Sequence, residues 1–498
     1  MVSWGPSHQK PKLPQPGRIT MVLVGVVVLA WVYGHIPDIV GLVIVGGVTW
    51  RFVSWIDSRD PYAGKNKPVP AAATVPPAGV DGKQAGVWLG RDERGTGCWS
   101  RAQRAVLVIG PPRSGKTSGV IIPTVSAHRG PVVVTSTKPD VLAATRNRRE
   151  ASGTVWQFDP TGQAPLVAGA ERLRWSPLTC SLDWDGALLM ARAMVQAAGV
   201  GAGVTDGDHW ARRSQALLAG LLHAAATGGE SMSTVVGWVA GHELDLPTGL
   251  LAAHGSSPLA SQALDGIAAA EDRERSAIFS TTAGALDAYS SQAALEATEQ
   301  PNFYAGRFVR SNDTIYIHAP AEHQHLAAPL VCGLLAEIRR GTYQAHAAGV
   351  LDRPVLFALD EVANIAPIPE LPQIASEGGS QGLLLLAVLQ DLSQARGRWG
   401  TVTDGFLTLF GDKLILPGVA DQRTLETISV TLGEYDRQVV SETRMRVPEK
   451  AWLQRAETIS TQRTRVLSAG EIANIPAGKA LHLDGVSWQL LTLTPAGR

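Results

Sequence analysis

The chain has 498 residues, enough for two or three folded units, and its 44 Lys and Arg balance 44 Asp and Glu. A neutral chain presents no global positive field to nucleic acid, so any such contact has to come from a local patch. The three cysteines, Cys98, Cys180 and Cys332, are odd in number and lack CxxC spacing, which argues against a disulfide framework or a zinc site and reads as reduced core thiols.

Two apolar runs open the chain. Ile19 to Gly34 (ITMVLVGVVVLAWVYG) is uncharged, and Ile39 to Ile56 (IVGLVIVGGVTWRFVSWI) carries only Arg51. As helices they would reach about 24 to 27 Å, against a hydrocarbon core of roughly 30 Å. Trp31, Tyr33, Trp50 and Trp55 stand where interfacial aromatics belong, and Arg51 where an arginine can snorkel. His8, Lys10, Lys12 and Arg18 precede the pair and Arg51, Arg59, Lys65 and Lys67 follow it, whereas the connection His35 to Asp38 has neither Lys nor Arg. The expectation is a transmembrane hairpin in a cell membrane, inner or plasma, with both ends and the bulk of the chain cytoplasmic. A cleaved signal peptide and a buried core hairpin are the alternatives; the second apolar run and the lack of an A-x-A-like site speak against the first. Asp60 to Lys83 is rich in Pro, Ala and Gly and suits an extended tether.

Ala105 to Ile109 (AVLVI) reads as a strand and runs into Gly110-Pro111-Pro112-Arg113-Ser114-Gly115-Lys116-Thr117, followed by Ser118. This is a complete P-loop. Its glycines let the chain wrap, its backbone N–H groups and the next helix cradle phosphate, Lys116 reaches the β and γ phosphates, and Thr117 ligates Mg²⁺. Val355 to Leu359 (VLFAL) reads as a buried strand ending in Asp360, placed to hold the metal shell, and Glu361, placed to orient or deprotonate water. Such an apolar run with Asp-Glu is weak alone and strong beside a P-loop; the pair implies ATP hydrolysis with Mg²⁺. Leu383 to Leu389 is apolar throughout, as expected of a strand buried on both faces, and ends in Gln390, a candidate γ-phosphate sensor or a simple loop cap. Val132 to Thr135, Val155 to Phe158, Thr314 to Ile317, Leu414 to Leu416 and Leu490 to Leu493 add strand-like runs.

Between Phe158 and Thr314 the pattern turns helical. Trp210, Leu217, Leu218, Leu221 and Leu222 recur at helical spacing, Asp208 is placed to cap that helix, Gly228-Gly229 to end it, and Asp183 to Ala198 resembles another. The expected class is α/β, a RecA-like P-loop nucleotide-binding domain with an inserted all-α domain, preceded by the transmembrane hairpin. Its divisions are a tail (1–18), the hairpin (19–34 and 39–56), a linker (57–85), the nucleotide-binding domain in two parts (86–180 and 303–498) and the insertion (181–302).

The GPPRSGKT loop, LDEVANIAPIPELPQIASEGGSQG running into LQDLSQARGRWG, then GDKLILPGVADQRTLETISVTLGEYD and LSAGEIANIPAGKALHLDG resemble the type IV coupling proteins of the TraG/TraD class, relatives of the FtsK and HerA motors. The resemblance implies Lys116 and Thr117 on MgATP, Asp360 and Glu361 for metal and water, and Gln390 as the motif glutamine. It implies a homo-hexameric ring that threads DNA, with relaxase or relaxosome proteins and type IV secretion channel components as partners. Single-stranded DNA is the expected cargo and double-stranded DNA the alternative. Many relatives carry a basic residue in a glycine-arginine-serine context; this chain has Gly378-Gly379-Ser380, which leaves Arg396 or Arg398 as guesses for an arginine finger. Lys138, at a strand end, reads as a site residue or a plain surface loop. Two other readings stand beside the coupling ATPase. One is an FtsK-like double-stranded DNA translocase, disfavoured because the chain ends straight after LLTLTP with no room for a winged helix. The other is a membrane docking platform whose nucleotide only sets conformation.

Overall fold

A computed structural model describes residues 86–162, 164–200, 206–444 and 455–493. The tail, both expected membrane segments and the linker lie outside the described residues, among which no helix is long and apolar enough to cross a membrane. Among the described residues, those up to Asp436 and from Thr461 onward belong to one compact unit, and those of Arg437–Ser460 to another.

The described strands are, in chain order, β1 (Trp88–Arg91), β2 (Gly97–Trp99), β3 (Val106–Ile109), β4 (Val132–Ser136), β5 (Val155–Phe158), β6 (Glu171–Arg172), β7 (Thr314–His318), β8 (Val355–Leu359), β9 (Leu383–Leu389), β10 (Asp412–Ile415), β11 (Glu434–Arg444), β12 (Arg455–Arg465), β13 (Lys479–Asp484) and β14 (Ser487–Thr492). Twelve of them form one sheet in the order β2-β1-β14-β13-β10-β3-β9-β8-β4-β7-β5-β6, and β11 pairs with β12. From β10 to β6 every neighbour is parallel. From β10 outward to β2 every neighbour is antiparallel.

The continuous apolar runs of the sequence are explained by this burial. In β3, Leu107 and Ile109 enter one hydrophobic core and Val106 and Val108 the other. β8 and β9 alternate in the same way, with Phe357 and Leu385 on one side and Leu356 and Leu386 on the other. A strand covered on both faces shows no polar alternation, and each such side chain contributes roughly 1.5–3 kcal/mol relative to exposure.

Helices cover the sheet. A π-helical turn (Thr117–Ile121) leads into α1 (Ile122–Ala127), and α2 (Asp140–Glu150) follows β4. The stretch between β6 and β7 holds α3 (Trp184–Ala197), α4 (Gly207–Gly228), α5 (Met232–Gly241), α6 (Asp245–Ala253), α7 (Pro258–Ala268) and α8 (Asp272–Ala285). The long α9 (Gln324–Ala347) packs on α3 and follows β7. Leu217, Leu218, Leu221 and Leu222 of α4 are fully buried in the same core as Leu107 and Phe357.

Two local expectations change. Asp208 does not cap α4: it lies in the first turn, and the cap position is taken by Asp206 in left-handed backbone, without a side-chain cap bond. Gly229 does close the helix, at φ 75°, where the missing Cβ removes the usual left-handed cost. Cys98 is not a core thiol: on the short edge strand β2 it is half-buried, while Cys180 and Cys332 are buried, and all three are free.

Candidate nucleotide site

The parallel order brings the C-terminal ends of β3, β9, β8 and β4 side by side, which is where open α/β sheets bind ligands. Gly110 leaves β3, and its N–H donates to the Leu389 carbonyl at 3.1 Å. A Cβ on Gly110 would stand 2.6 Å from Ser114 Oγ and 2.8 Å from Leu416 Cβ. Gly115 has open space about it but φ 97°, so its constraint is conformational. With Arg113 also at φ 63°, the loop alternates handedness, the arrangement that turns successive N–H groups towards an anion.

Lys116 is 7% exposed, and its Nζ donates to the carbonyls of Gly110 at 2.6 Å and Pro111 at 2.9 Å. Burial draws its ammonium down from the ordinary value, while Asp360 and Glu361 oppose that shift. Thr117 Oγ1 donates to Asp360 Oδ2 at 3.0 Å. Asp360 is itself 7% exposed, and Thr135 at the end of β4 donates to its carbonyl at 2.8 Å. Burial, and then the Glu361 charge, push the Asp360 carboxyl from 3.8 up to about 6, against the Thr117 hydrogen bond and Lys116.

Glu361 follows in left-handed backbone at φ 51°. Its carboxylate accepts from Gln390 Nε2 at 3.3 Å on both oxygens and from Asn364 Nδ2 at 3.2 Å on Oε2. The Gln390 N–H donates to Gln394 Oε1 at 3.0 Å, which ties the end of β9 to α10 (Leu392–Trp399). The structure thus brings Lys116, Thr117, Asp360, Glu361 and Gln390 to one sheet edge. Thr135 and Asn364 join them, and sequence reasoning gave neither a role at the site. The position of Asn364, three residues after Glu361, was the available signal for one; nothing short of the sheet order pointed to Thr135.

The donor set fits a hard cation. A hydroxyl and a buried carboxylate, 3.0 Å apart, are the two protein ligands that Mg²⁺ takes when phosphate and water supply the rest. A carboxyl raised by burial lacks countercharge, and a divalent ion would supply it. Among the described residues no cluster of three or more His, Cys, Asp or Glu offers an all-protein metal cage.

The guessed arginines are engaged within their own chain. Arg396 pairs with Asp421 at 3.5 Å, and Arg398 Nε donates to the Ala363 carbonyl at 2.8 Å. At Gly379 an added Cβ would fall on the Gln103 carbonyl oxygen, so this backbone has no room for a side chain there. Lys138 is exposed and lines a cavity of about 200 Å³ with Ser136, Gln157, Tyr316 and His318, to which no P-loop residue contributes.

Comparison with known proteins bears on the family of the chain. The family model for type IV secretory system conjugative DNA transfer matches residues 74–485. Protein VirD4 of Rhizobium rhizogenes is 25% identical over 344 residues, 67% of this chain and 50% of that protein. Protein VirD4 of Agrobacterium fabrum (strain C58 / ATCC 33970) is 25% identical over 338 residues, 66% and 49% of the two chains. The chain spans about half the length of these relatives. The fold is similar to that of the bacterial conjugative coupling protein TrwBdeltaN70, with TM-score 0.57 and 20% identity over 80% of this chain and 87% of that one. It is equally similar to plasmid coupling protein TrwB in complex with a non-hydrolysable ATP analogue, with TM-score 0.57 and 19% identity over 79% and 86%. With the family model matched over residues 74–485, which include the P-loop and the Asp360–Glu361 edge, the chain belongs to the type IV secretory system conjugative DNA transfer family.

Proposed function

We propose that this protein is an ATPase that drives DNA, as a relaxase-bound single strand, into a type IV secretion channel. The observation that carries the reading is the chain of contacts Thr117–Asp360 and Glu361–Gln390 beside a complete P-loop, in a member of a DNA-transfer family. TrwB has been solved with ADP and Mg²⁺ and with a non-hydrolysable ATP analogue, which supports the same ligands here.

Lys116 would exchange its two carbonyl partners for β and γ phosphate oxygens, and Gly110 through Ser118 would wrap the phosphates with N–H groups. Thr117 and Asp360 would hold Mg²⁺, which would supply positive charge against the phosphates. Glu361 orients a water and takes its proton as the water oxygen bonds the γ phosphorus and the bond to the bridging oxygen breaks. Gln390, already touching Glu361, would sense the γ phosphate. Gly110, Pro111, Pro112, Arg113, Ser114, Gly115 and Ser118 bind, Thr117 and Asp360 ligate, and Lys116, Glu361 and Gln390 act on the reaction.

The remaining parts of this reading are a homo-hexamer anchored in the cell membrane by 19–34 and 39–56, and an inserted helical domain over 181–302 that meets relaxosome or channel proteins. The test is the MgATP turnover of the full chain with and without single- and double-stranded DNA, beside Glu361→Gln. Stimulation by single-stranded DNA, and loss of at least about a hundred-fold in the variant, are expected. Turnover indifferent to DNA would point instead to a docking platform, and a preference for duplex to an FtsK-like translocase.

A further inference from the structure

Left-handed backbone at a glutamate costs of order 1 kcal/mol, and at Glu361 (φ 51°) it sets the direction in which the side chain leaves the end of β8. Two neutral amides then decide where the carboxylate rests. Gln390 comes from the end of β9, and Asn364 from the single helical turn Val362–Ile365. The turn is a firm base. Val362 and Ile365 are fully buried, and α10 braces the segment twice, through Arg398 Nε to the Ala363 carbonyl and Trp399 Nε1 to the Ile368 carbonyl, both at 2.8 Å. The Asn364 backbone N–H closes the turn onto the Glu361 carbonyl at 2.8 Å. Its side chain is only half-buried, and its hydrogen bond to Glu361 Oε2 is the one it makes among the described residues.

We propose that Asn364 is a positioning residue for hydrolysis, holding the Glu361 carboxylate by Oε2 so that Oε1 stays directed at water. The proposal rests on the ATPase reading above. Its logic is a division of labour between the donors. Gln390 stands at the end of the strand between β3 and β8, so a γ phosphate competes for it, and a Gln390 that turns away leaves Glu361 with Asn364 alone. A carboxylate on a long, freely rotating stem then keeps one fixed oxygen, the kind of restraint that near-attack geometry requires.

The test is steady-state kinetics of the full chain with MgATP and single-stranded DNA, at pH 8 so that an introduced imidazole is neutral. Asn364→Ala is expected to lower kcat about ten-fold with KM unchanged, because the P-loop contacts are untouched. Asn364→Asp, matched in shape but accepting where Asn donates, is expected to lower kcat at least as far. Asn364→His, larger but with an N–H near the amide position, is expected to recover most of the rate. A packing role predicts the reverse order, with His worse than Asp, and that order would overturn the proposal, as would a wild-type kcat for Asn364→Ala or a loss confined to KM. A wild-type chain without turnover would sink the ATPase reading and this inference together, an outcome distinct from any that sinks the inference alone.

Discussion

Lys116 and Asp360 show how charge is stored at the nucleotide edge. The ammonium rests on two carbonyl oxygens of its own loop, neutral partners that a phosphate outbids. Asp360 is held with its carboxyl raised to about 6, so folding favours its protonated form. Its ionisation therefore costs stability as pH rises from about 4 to about 6, and the full cost, about 3 kcal/mol, applies above that range. Asp360→Asn removes the charge while keeping an acceptor for Thr117. The variant is expected to melt several degrees above wild type at pH 8, with the gap closing below pH 4; equal melting temperatures at pH 8 would mean that Asp360 is not strained. The sequence pattern pointed to Asp360 and Glu361 because an apolar run that stops at Asp-Glu is local information. It was silent about Asn364 and Thr135, whose roles depend on a left-handed Glu361 and on β4 lying beside β8.

Secondary elements are fastened by polar ends as much as by apolar faces. Asp183 caps α3, accepting from the Gly186 N–H at 2.8 Å, and pairs with Arg340 of α9 at 2.9 Å. Burial pushes its carboxyl up, but Arg340 and the Gly186 N–H outweigh it and leave it lowered. Asp183→Ala is expected to cost about 1–2 kcal/mol, from the cap and a partly exposed ion pair, read as a lower urea midpoint at unchanged slope. Beside this cap, Trp175 Nε1 donates to Glu337 Oε2 at 2.6 Å, and Gly333 leaves the ring room: a Cβ there would meet Trp175 and Met190 Sδ at 2.8 Å. Helical spacing announced α3 and α4, whereas Asp208 misled, because Asp in a first turn and Asp at a cap look alike in sequence. The strand β13, which lies between β14 and β10, was missed for a related reason. Its centre carries His482, buried by Asp412 at 2.8 Å and Gln489 at 3.1 Å, and a buried polar residue breaks the apolar run by which strands are recognised.

At the scale of the whole molecule, binding should report on the assembled edge. MgATP at a hundred times its dissociation constant is expected to stabilise the full chain by about 2.7 kcal/mol. The resulting thermal shift should vanish in Lys116→Ala, and a shift that survives there would place the nucleotide elsewhere. Sequence alone determined the P-loop, the acidic strand end, the doubly buried strands and the family, because these are contiguous patterns whose physics is local. Tertiary structure decided which strand ends meet. Thr117 and Asp360 stand 243 positions apart and touch at 3.0 Å, a proximity that follows from β9 lying between β3 and β8 and from no local pattern. It also decided that Gly379, close against the Gln103 carbonyl, has no space for a side chain. Close packing between distant segments is what a linear pattern cannot carry, because each segment satisfies its own propensities whichever partner it finds.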